Sequence, residues 1–318
     1  MTIAVRSSID SLIAFVRGRE NRIFCCARER AIDPLTLRSQ ILLHLPRLVK
    51  AGHFPDENDF DREIRAVSDF IEDSQRPYAQ WLKPPENPIS LSDLVFGPID
   101  AEIARVYHER LHYLGSFRSG LHFAFTDRTS GRIVCIGSTA KFDLKHAAEK
   151  IAPRVDPGSV LVLSRFFAFR WAPENTFSYF HRRLRLRLIM DYDTKLMFSF
   201  INPNLGFNAS SHRGAHWTLF AREEGTCYMY LNERYRTMRF FVENHGTSDA
   251  GELRRKLGAS FDISTLALHP MSLLAIPIQR RARQAIPAEP YLFRRPQLHS
   301  GEDVGNGAGL DVDGLTGV

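Results

Sequence analysis

The spacing of apolar residues predicts helices in the first part of the chain. Apolar residues recur at helical intervals between residues 64 and 71, and the acidic run at 56–61 favours the N-terminus of that helix. Three prolines within residues 84–88 cannot continue a helix. We therefore predict a mainly helical N-terminal extension over residues 1–95, which could bind a protein partner.

After this break the pattern changes to one that is typical of strands. A predicted helix over Ile99–Leu111 is followed by short runs with a period of two. Val160–Phe169 is the longest β-branched and aromatic run and predicts a buried central strand. Phe177–Met190 predicts a basic helix, although its LRLRLRL stretch also has the period of a strand. The other predicted strands are Leu121–Thr126, Arg132–Gly137, Leu196–Ile201, Cys227–Leu231 and Arg239–Val242.

These elements predict an α/β (α+β) fold. We expect residues 96–285 to form one domain with a mixed, mostly antiparallel sheet flanked by helices. Residues 286–318 are rich in glycine and aspartate and predict a C-terminal tail, disordered at 300–318.

The composition excludes several classes of protein. The 318 residues are 44% hydrophobic and 25% charged, which excludes collagen, coiled-coil arrays and wholesale disorder. No apolar run approaches the roughly 20 residues of a membrane-spanning helix, and the N-terminus lacks the pattern of a secretory signal. The four cysteines contain no C-x-x-C pair. We expect a cytoplasmic protein that does not bind a membrane.

Positive charge is concentrated in the middle of the chain. Residues 96–285 carry 27 basic and 17 acidic residues, a net charge of +10, whereas residues 1–95 carry 13 basic and 14 acidic residues. Such a segment attracts the phosphates of a cofactor, or of DNA or another nucleic acid. A solvated basic face would have the same composition.

The junction between the central strand and the basic helix could bind a phosphate. The first N–H groups of a helix have no partner within it and create a positive potential at its N-terminus. Pro173 fits an early helical turn, and Asn175 or Thr176 can cap the helix. An ordinary strand-to-helix connection without a ligand is the alternative.

Three blocks of residues follow one another in this region. The first is His112–Gly115 (HYLG), followed by the predicted hairpin. The second is Leu163–Arg165 (LSR), followed by Ala172–Asn175 (APEN). The third is Asn202–Gly206 (NPNLG), with Trp217 beyond it. In order and spacing, over about residues 105–285, the blocks resemble the GNAT acyltransferase superfamily. More narrowly, they resemble its Mom-like branch, named for a phage protein that modifies adenine in DNA.

The resemblance implies a transferase that uses acetyl-CoA or a related acyl-CoA. In the GNAT fold, the strands predicted at 160–169 and 196–201 would splay into a V that admits the pantetheine arm. Amides of the central strand would polarise the thioester, and the connector after it would hold the pyrophosphate. The residues implied in cofactor binding are Phe166, Phe167, Ala168, Arg170, Pro173, Asn175 and Thr176.

The third block departs from the Mom-type pattern. Asn202 stands where that pattern has an acidic residue, His212 where it has tyrosine, and His216 where it has asparagine. An amide cannot act as a base, whereas a histidine has a pKa near neutrality. The resemblance therefore implies Asn202 as a residue of the site, His212 or His216 as the general base, and Tyr228 or Tyr230 as the group that protonates the leaving thiolate.

A second motif points to different chemistry. His108-Glu109-Arg110-Leu111-His112 matches H-E-x-x-H, in which two histidines on one face of a helix bind zinc and the glutamate acts as base. A third ligand is needed, and Arg118 occupies the place where the longer form of the motif has histidine.

Three hypotheses follow from the sequence. The chain is a GNAT-fold acyltransferase of Mom-like type, or a zinc-dependent hydrolase that uses His108 and His112, or a catalytically silent accessory protein that binds nucleic acid.

Overall fold

A computed structural model describes residues 8–50 and 53–294 of the chain. The tail segment 300–318, for which disorder is predicted, lies outside the described residues. Among the described residues, no helix is long and apolar enough to cross a membrane.

The N-terminal part is helical, as predicted. The longest of its helices begins at a capping box, in which Asp56 and Asp59 each accept a hydrogen bond from the backbone N–H of the other. The break predicted at residues 84–88 is confirmed, since helix α5 ends before it. The α-helices that the structure describes in this part are α1 (Ile9–Arg17), α2 (Glu20–Glu29), α3 (Pro34–His44), α4 (Glu57–Gln75) and α5 (Ala79–Leu82).

An eight-stranded, mostly antiparallel sheet follows, which confirms the predicted fold class. The strand order is β1-β2-β3-β4-β5-β10-β6-β11, and only the pairs β4–β5 and β6–β11 are parallel. Strands β7, β8 and β9 form a separate small sheet in the order β8-β7-β9. The strands are β1 (Leu94–Pro98), β2 (Leu121–Asp127), β3 (Ile133–Lys141), β4 (Val160–Ala168), β5 (Leu196–Ile201), β6 (Thr218–Glu224), β7 (Met229–Leu231), β8 (Arg234–Arg236), β9 (Phe261–Ile263), β10 (Met271–Pro277) and β11 (Tyr291–Arg294).

Helices cover both faces of the large sheet. The stretch that also fitted a strand is the 17-residue helix α8, because Phe180, Leu184 and Leu188 form an apolar stripe on the sheet while its arginines lie mostly outside that stripe. The remaining helices are α6 (Ala101–Val106), a π-helical turn at Tyr107–Leu111, α7 (Lys145–Ile151), α8 (Thr176–Tyr192), α9 (Ser210–Gly214), α10 (Met238–His245) and α11 (Ala250–Leu257).

Two predictions of local structure were wrong. Arg239–Val242 is not a closing strand but part of α10, whose N-terminus is capped by the side chain of Thr237 and which buries Phe241. Pro173 lies before α8 rather than in its first turn, and Asn175 adopts a left-handed conformation without capping the helix through its side chain. Beyond β5 the sheet instead continues with β10, β6 and the edge strand β11, which the sequence patterns did not single out.

The N-terminal helices share a core with the second half of the chain. Leu205, Tyr228, Tyr230 and Leu266 are buried in one cluster with apolar residues of α1 to α4. The hydroxyl of Tyr230 donates a hydrogen bond to the carbonyl of Leu43 (2.9 Å). β1 straddles residue 95, and the division of the chain at that residue stays a prediction.

Candidate active site between parted strands

Strands β4 and β5 separate at the centre of the sheet. They pair in parallel only from Val160 to Leu163 on β4, opposite Leu196 to Ser199 on β5. A bulge at Ser164 accompanies the separation, because Thr139 of β3 pairs with Leu163 and the preceding residue of β3 pairs with Arg165. Beyond the bulge β4 pairs with β3 alone, so its other edge has no strand partner. The predicted V-shaped splay is confirmed.

The separation opens a cavity of about 480 Å³, which we call the gap cavity. Its walls come from the diverging ends of β4 and β5, from the chain before β2 and from the loop and short helix after β5. The residues that line it and matter below are Tyr113, Ser164, Arg165, Phe166, Phe177, Ser199, Asn202 and His212.

His212 is brought into this cavity by α9. Its Nε2 atom lies 3.2 Å from the hydroxyl of Ser199, and its ring lies against Phe177 (4.6 Å between centroids) and Trp217 (5.3 Å). Burial lowers the pKa of His212 to about 4. The imidazole is therefore neutral at pH 7 and can accept a proton, as a general base must.

The other residues predicted for catalysis are placed less directly. Asn202 lines the cavity, and its amide donates to the hydroxyl of Tyr228 (2.9 Å). Tyr228 is buried and does not line the cavity, and burial raises its pKa, so the phenol stays protonated. Tyr230 bonds to the N-terminal helices instead. His216 is exposed, has a φ of +64° and does not line the cavity.

The residues implied in cofactor binding lie on different sides of the sheet. Phe166 lines the cavity, whereas the side chain of Phe167 is buried on the opposite face with Tyr107. Ala168 ends β4. The guanidinium of Arg170 lies over the ring of Phe24 in α2 (4.7 Å) and does not line the gap cavity.

Two backbone amides at the start of α8 have no acceptor among the described residues. The N–H of Thr176 donates to the carbonyl of Pro173 (3.2 Å), and the hydroxyl of Thr176 donates to the same oxygen (2.5 Å). Within the described chain, no acceptor is bonded to the N–H of Phe177 or Ser178. Because Phe177 also lines the cavity, these backbone donors are the groups near it that could hold an anionic group of an acyl-CoA, without Arg170.

Arg165 is a cavity residue that sequence reasoning did not single out. Its Nε and Nη2 donate to the carbonyl (3.2 Å) and hydroxyl (2.8 Å) of Ser116, and its Nη1 donates to the carbonyl of Ser164 (2.6 Å). Three of its five N–H groups are thus satisfied by neutral acceptors, and no carboxylate pairs with it among the described residues. Burial lowers the pKa of Arg165. The arginine was visible only as part of the LSR block.

Tyr113 is a second such residue. It lines the cavity next to His112, whose ring stacks on its own (4.4 Å), and burial raises the pKa of its phenol to about 12. A protonated phenol at this position can donate a proton. The sequence placed this residue only in the HYLG block, whose function it did not specify.

The geometry of the H-E-x-x-H segment does not fit the predicted zinc site. The π-helical turn moves His112 off the face that carries His108, and their rings are 6.1 Å apart and nearly perpendicular. The Nε2 of His108 and the Nδ1 of His122 each lie 2.7 Å from the hydroxyl of Ser138, while the Nδ1 of His112 accepts from the N–H of Leu114. No cluster of three possible ligands occurs within the described residues.

Comparison with known proteins gives similarity at the level of structure only. No protein-family model and no curated protein matches the chain. The match to the ribosomal-protein-S5-alanine acetyltransferase of Vibrio fischeri covers 61% of this chain and 98% of that protein, at 8% sequence identity and a TM-score of 0.36. The match to the ribosomal-protein-S18-alanine N-acetyltransferase of Escherichia coli covers 58% of this chain and 94% of that protein, at 8% sequence identity and a TM-score of 0.35. The match to a Salmonella typhimurium protein in complex with acetyl-CoA covers 59% of this chain and 95% of that protein, at 9% sequence identity and a TM-score of 0.35.

These scores are low, and the assignment of a GNAT-like fold rests on the sheet itself. The central parallel pair β4–β5 of a mostly antiparallel sheet parts around a cavity, and helix α8 follows the end of β4.

Proposed function

We propose that this chain transfers an acyl group from an acyl-CoA, and that the reaction takes place in the gap cavity. The observation that carries the proposal is the parting of β4 from β5 beyond Leu163 and Ser199, which leaves a buried passage lined by the free edge of a strand. Backbone N–H groups on that edge can hydrogen-bond a carbonyl that becomes more negative during the reaction. An acyl-CoA would supply the activated thioester.

Residues of this chain are available for the proton transfers. His212, neutral at pH 7, would accept the proton of the attacking nucleophile, directly or through the hydroxyl of Ser199. Tyr113 would return a proton to the leaving thiolate, because its phenol lies in the cavity whereas Tyr228 does not. This assignment keeps one of the histidines predicted from the sequence and replaces the tyrosine.

The acceptor in this proposal is a nucleobase, as in the Mom-like branch. The three sequence blocks and the net charge of +10 over residues 96–285 support a nucleic acid substrate. Asn202 cannot replace the acidic residue of the Mom-type pattern as a base, so the proposal assigns that role to His212. A base inside a duplex would have to be extruded to reach a cavity of this size.

A catalytically silent protein that binds nucleic acid is the second candidate. Two observations favour it: Asn202 has an amide in place of a carboxylate, and Arg170 contacts α2 rather than the cavity. The two candidates differ in whether the cavity holds an acyl-CoA.

The test measures donor binding and transfer separately. Calorimetry with acetyl-CoA and with CoA reports binding, and mass spectrometry of nucleosides after incubation with DNA and radiolabelled acetyl-CoA reports transfer. Ser199→Leu places a larger apolar side chain in the gap cavity beside His212 and is expected to abolish both, in protein shown by circular dichroism to be folded. Thr218→Leu, on an exposed position of β6, is the matched control and should abolish neither. Wild-type protein that binds neither acetyl-CoA nor CoA would favour the silent candidate.

A further inference from the structure

A second cleft lies directly beside the gap cavity. It has a volume of about 470 Å³, and we call it the arginine cleft after Arg110, Arg234 and Arg236 in its walls. One wall belongs to helices α3 and α4 of the N-terminal part, and the facing wall belongs to β8 and the start of α10. The cleft therefore exists only where the N-terminal helices meet the second half of the chain.

His44 joins these two walls. Its Nδ1 donates to the carbonyl of Gln40 within α3 (2.7 Å), and its Nε2 accepts from the backbone N–H of Tyr235 in β8 (3.1 Å). This pattern requires a neutral ring, since only a neutral imidazole both donates and accepts. The spacing between α3 and β8 is thus fixed without a ligand.

None of the three arginines of the cleft forms an ion pair among the described residues, although the buried carboxylate of Glu63, which is paired with Arg47, also interacts electrostatically with Arg234. No carboxylate lies within ion-pair distance of Arg110, Arg234 or Arg236. The two acidic residues that line the cleft are engaged elsewhere: Glu109 with Arg105 (3.4 Å) and Asp73 with Arg76 (3.5 Å). In addition, the Nε of Arg236 is buried without a hydrogen-bond acceptor. The positive charges of Arg110 and Arg236 are therefore left for an anionic ligand to balance, and that of Arg234 is balanced only by the Glu63 carboxylate beyond ion-pair distance.

Aromatic rings accompany these arginines. The guanidinium of Arg234 lies over Phe70 of α4 (5.0 Å), and that of Arg236 lies over Phe240 of α10 (5.0 Å). Phe70 is 42% exposed, so its ring is accessible to a ligand in the cleft. Guanidinium groups and exposed rings in alternation are the elements with which proteins hold unpaired nucleotides.

The cleft and the gap cavity share a wall. His112, Leu114 and Tyr235 line both, and Ser116, which holds Arg165 in the gap cavity, lines the cleft. A ligand held by the arginines would thus lie next to the proposed reaction site.

We propose that the arginine cleft binds a nucleotide segment of single-stranded or extruded nucleic acid, with phosphates on Arg234 and Arg236 and a base against Phe70. The inference rests on the proposed function, which it deepens by naming how the acceptor is held and by giving the N-terminal helices a role in substrate binding. A cleft of about 470 Å³ admits a nucleotide but no duplex. An acidic peptide would use the arginines but would leave Phe70 without a function.

Oligonucleotide binding without any acyl donor tests the inference, so a failure of acyl transfer does not affect the result. Fluorescence anisotropy with a labelled 12-nucleotide single strand, and with the duplex of the same sequence, is measured at 50 and 200 mM salt on the full chain. We expect the single strand to bind more tightly than the duplex. Arg234→Ala/Arg236→Ala should weaken binding by roughly tenfold or more and lower the salt slope by about 1.4.

Matched variants separate the cleft from general charge. Phe70→Ala removes an exposed ring without changing charge and should weaken single-strand binding by roughly tenfold. Arg255→Ala removes an exposed arginine of α11 and should leave the affinity within about twofold. Arg234 also donates a hydrogen bond to the carbonyl of Ala66 (3.1 Å), so its replacement removes a contact within the fold. Arg234→Lys/Arg236→Lys is therefore measured beside the double alanine variant. Both variants are first shown by thermal unfolding to be folded.

Three outcomes would overturn the inference. The first is affinity of a folded double alanine variant equal to that of the wild type. The second is equal loss in Arg255→Ala. The third is displacement of the single strand by a poly-glutamate peptide, if the affinity of that peptide depends on Arg234 and Arg236 but not on Phe70.

Discussion

The hydroxyl of Ser199 and the Nε2 of His212 lie 3.2 Å apart at the mouth of the separation between β4 and β5. The two residues are 13 positions apart in sequence and come from a strand and from the short helix after it. A hydroxyl and a neutral imidazole at this distance can pass a proton between them.

The pair predicts a pH profile for acyl transfer. Because burial lowers the pKa of His212 to about 4, the imidazole is already deprotonated at pH 6. We expect the protonation of this base to leave kcat/KM unchanged between pH 6 and 8. As the pH approaches 4, kcat/KM should fall because the imidazole becomes protonated. His212→Gln should lower kcat by roughly 100-fold and remove the acidic limb. His146→Gln, an exposed histidine of α7, is the control. A limb centred near pH 6.5 would assign the base to another histidine.

Arg165 predicts a loss that lysine does not restore. Its guanidinium holds Ser116 with two donors and Ser164 with a third, a geometry that an ammonium group cannot reproduce. We expect both Arg165→Met and Arg165→Lys to lower the transfer rate by roughly tenfold or more. Steady-state kinetics and circular dichroism distinguish this loss from unfolding. Full activity of Arg165→Lys would show that charge alone matters at this position.

The absence of a side chain at Gly137 of β3 allows Phe180 of α8 to pack closely against the sheet. A Cβ atom at this position would lie 2.5 Å and 2.7 Å from ring atoms of Phe180, which is fully buried and cannot move aside. Gly137→Ala should therefore destabilise the protein by about 1–3 kcal/mol in urea unfolding. Gly97→Ala is the matched control on β1, because nothing lies within 4 Å of its Cβ position. Equal stability of the two variants would contradict this packing.

Buried histidines predict that the protein loses stability in acid. Burial lowers the pKa of His44, His108 and His181 from 6.5 to about 3, so these rings are neutral when the protein is folded and gain protons on unfolding. Their contribution is fully present above pH 6.5 and is lost progressively as the pH falls toward 3. Each ring contributes a slope of about 1.4 kcal/mol per pH unit within that window.

Urea unfolding at pH 7, 6 and 5 measures this slope. His108→Gln should reduce it by about 1.4 kcal/mol per pH unit, since the amide can still bond to the hydroxyl of Ser138 but does not titrate. A slope that is unchanged in His108→Gln would mean that His108 is protonated in the folded protein.

The sequence predicted the elements with strong periodicity and missed what depends on contacts across the chain. Val160–Phe169 and Phe177–Met190 were correct because one long apolar run and one apolar stripe each determine their element. Arg239–Val242 was assigned to a strand because four residues cannot distinguish a strand from a helix that Thr237 caps.

The lining of the gap cavity was predicted only in part, for the same reason. The spacing of its block singled out His212, which the structure places at the gap cavity, and its catalytic role stays a prediction. The guanidinium of Arg170 points away from the gap cavity because it lies over the ring of Phe24. Phe24 is almost 150 residues earlier in the chain, so no local sequence pattern could have predicted this contact. The zinc motif failed because a single π-helical turn, which has no sequence signature, changes the spacing of His108 and His112 around the helix axis.

The bond between the Tyr230 hydroxyl and the Leu43 carbonyl has a practical consequence for dissecting this protein. A fragment that starts at residue 96 would leave Leu205, Tyr228 and Leu266 facing water, together with one whole side of the arginine cleft. Such a fragment is expected to aggregate when it is expressed alone. Activity and binding must therefore be sought in the intact polypeptide, whose two halves should melt in a single cooperative transition.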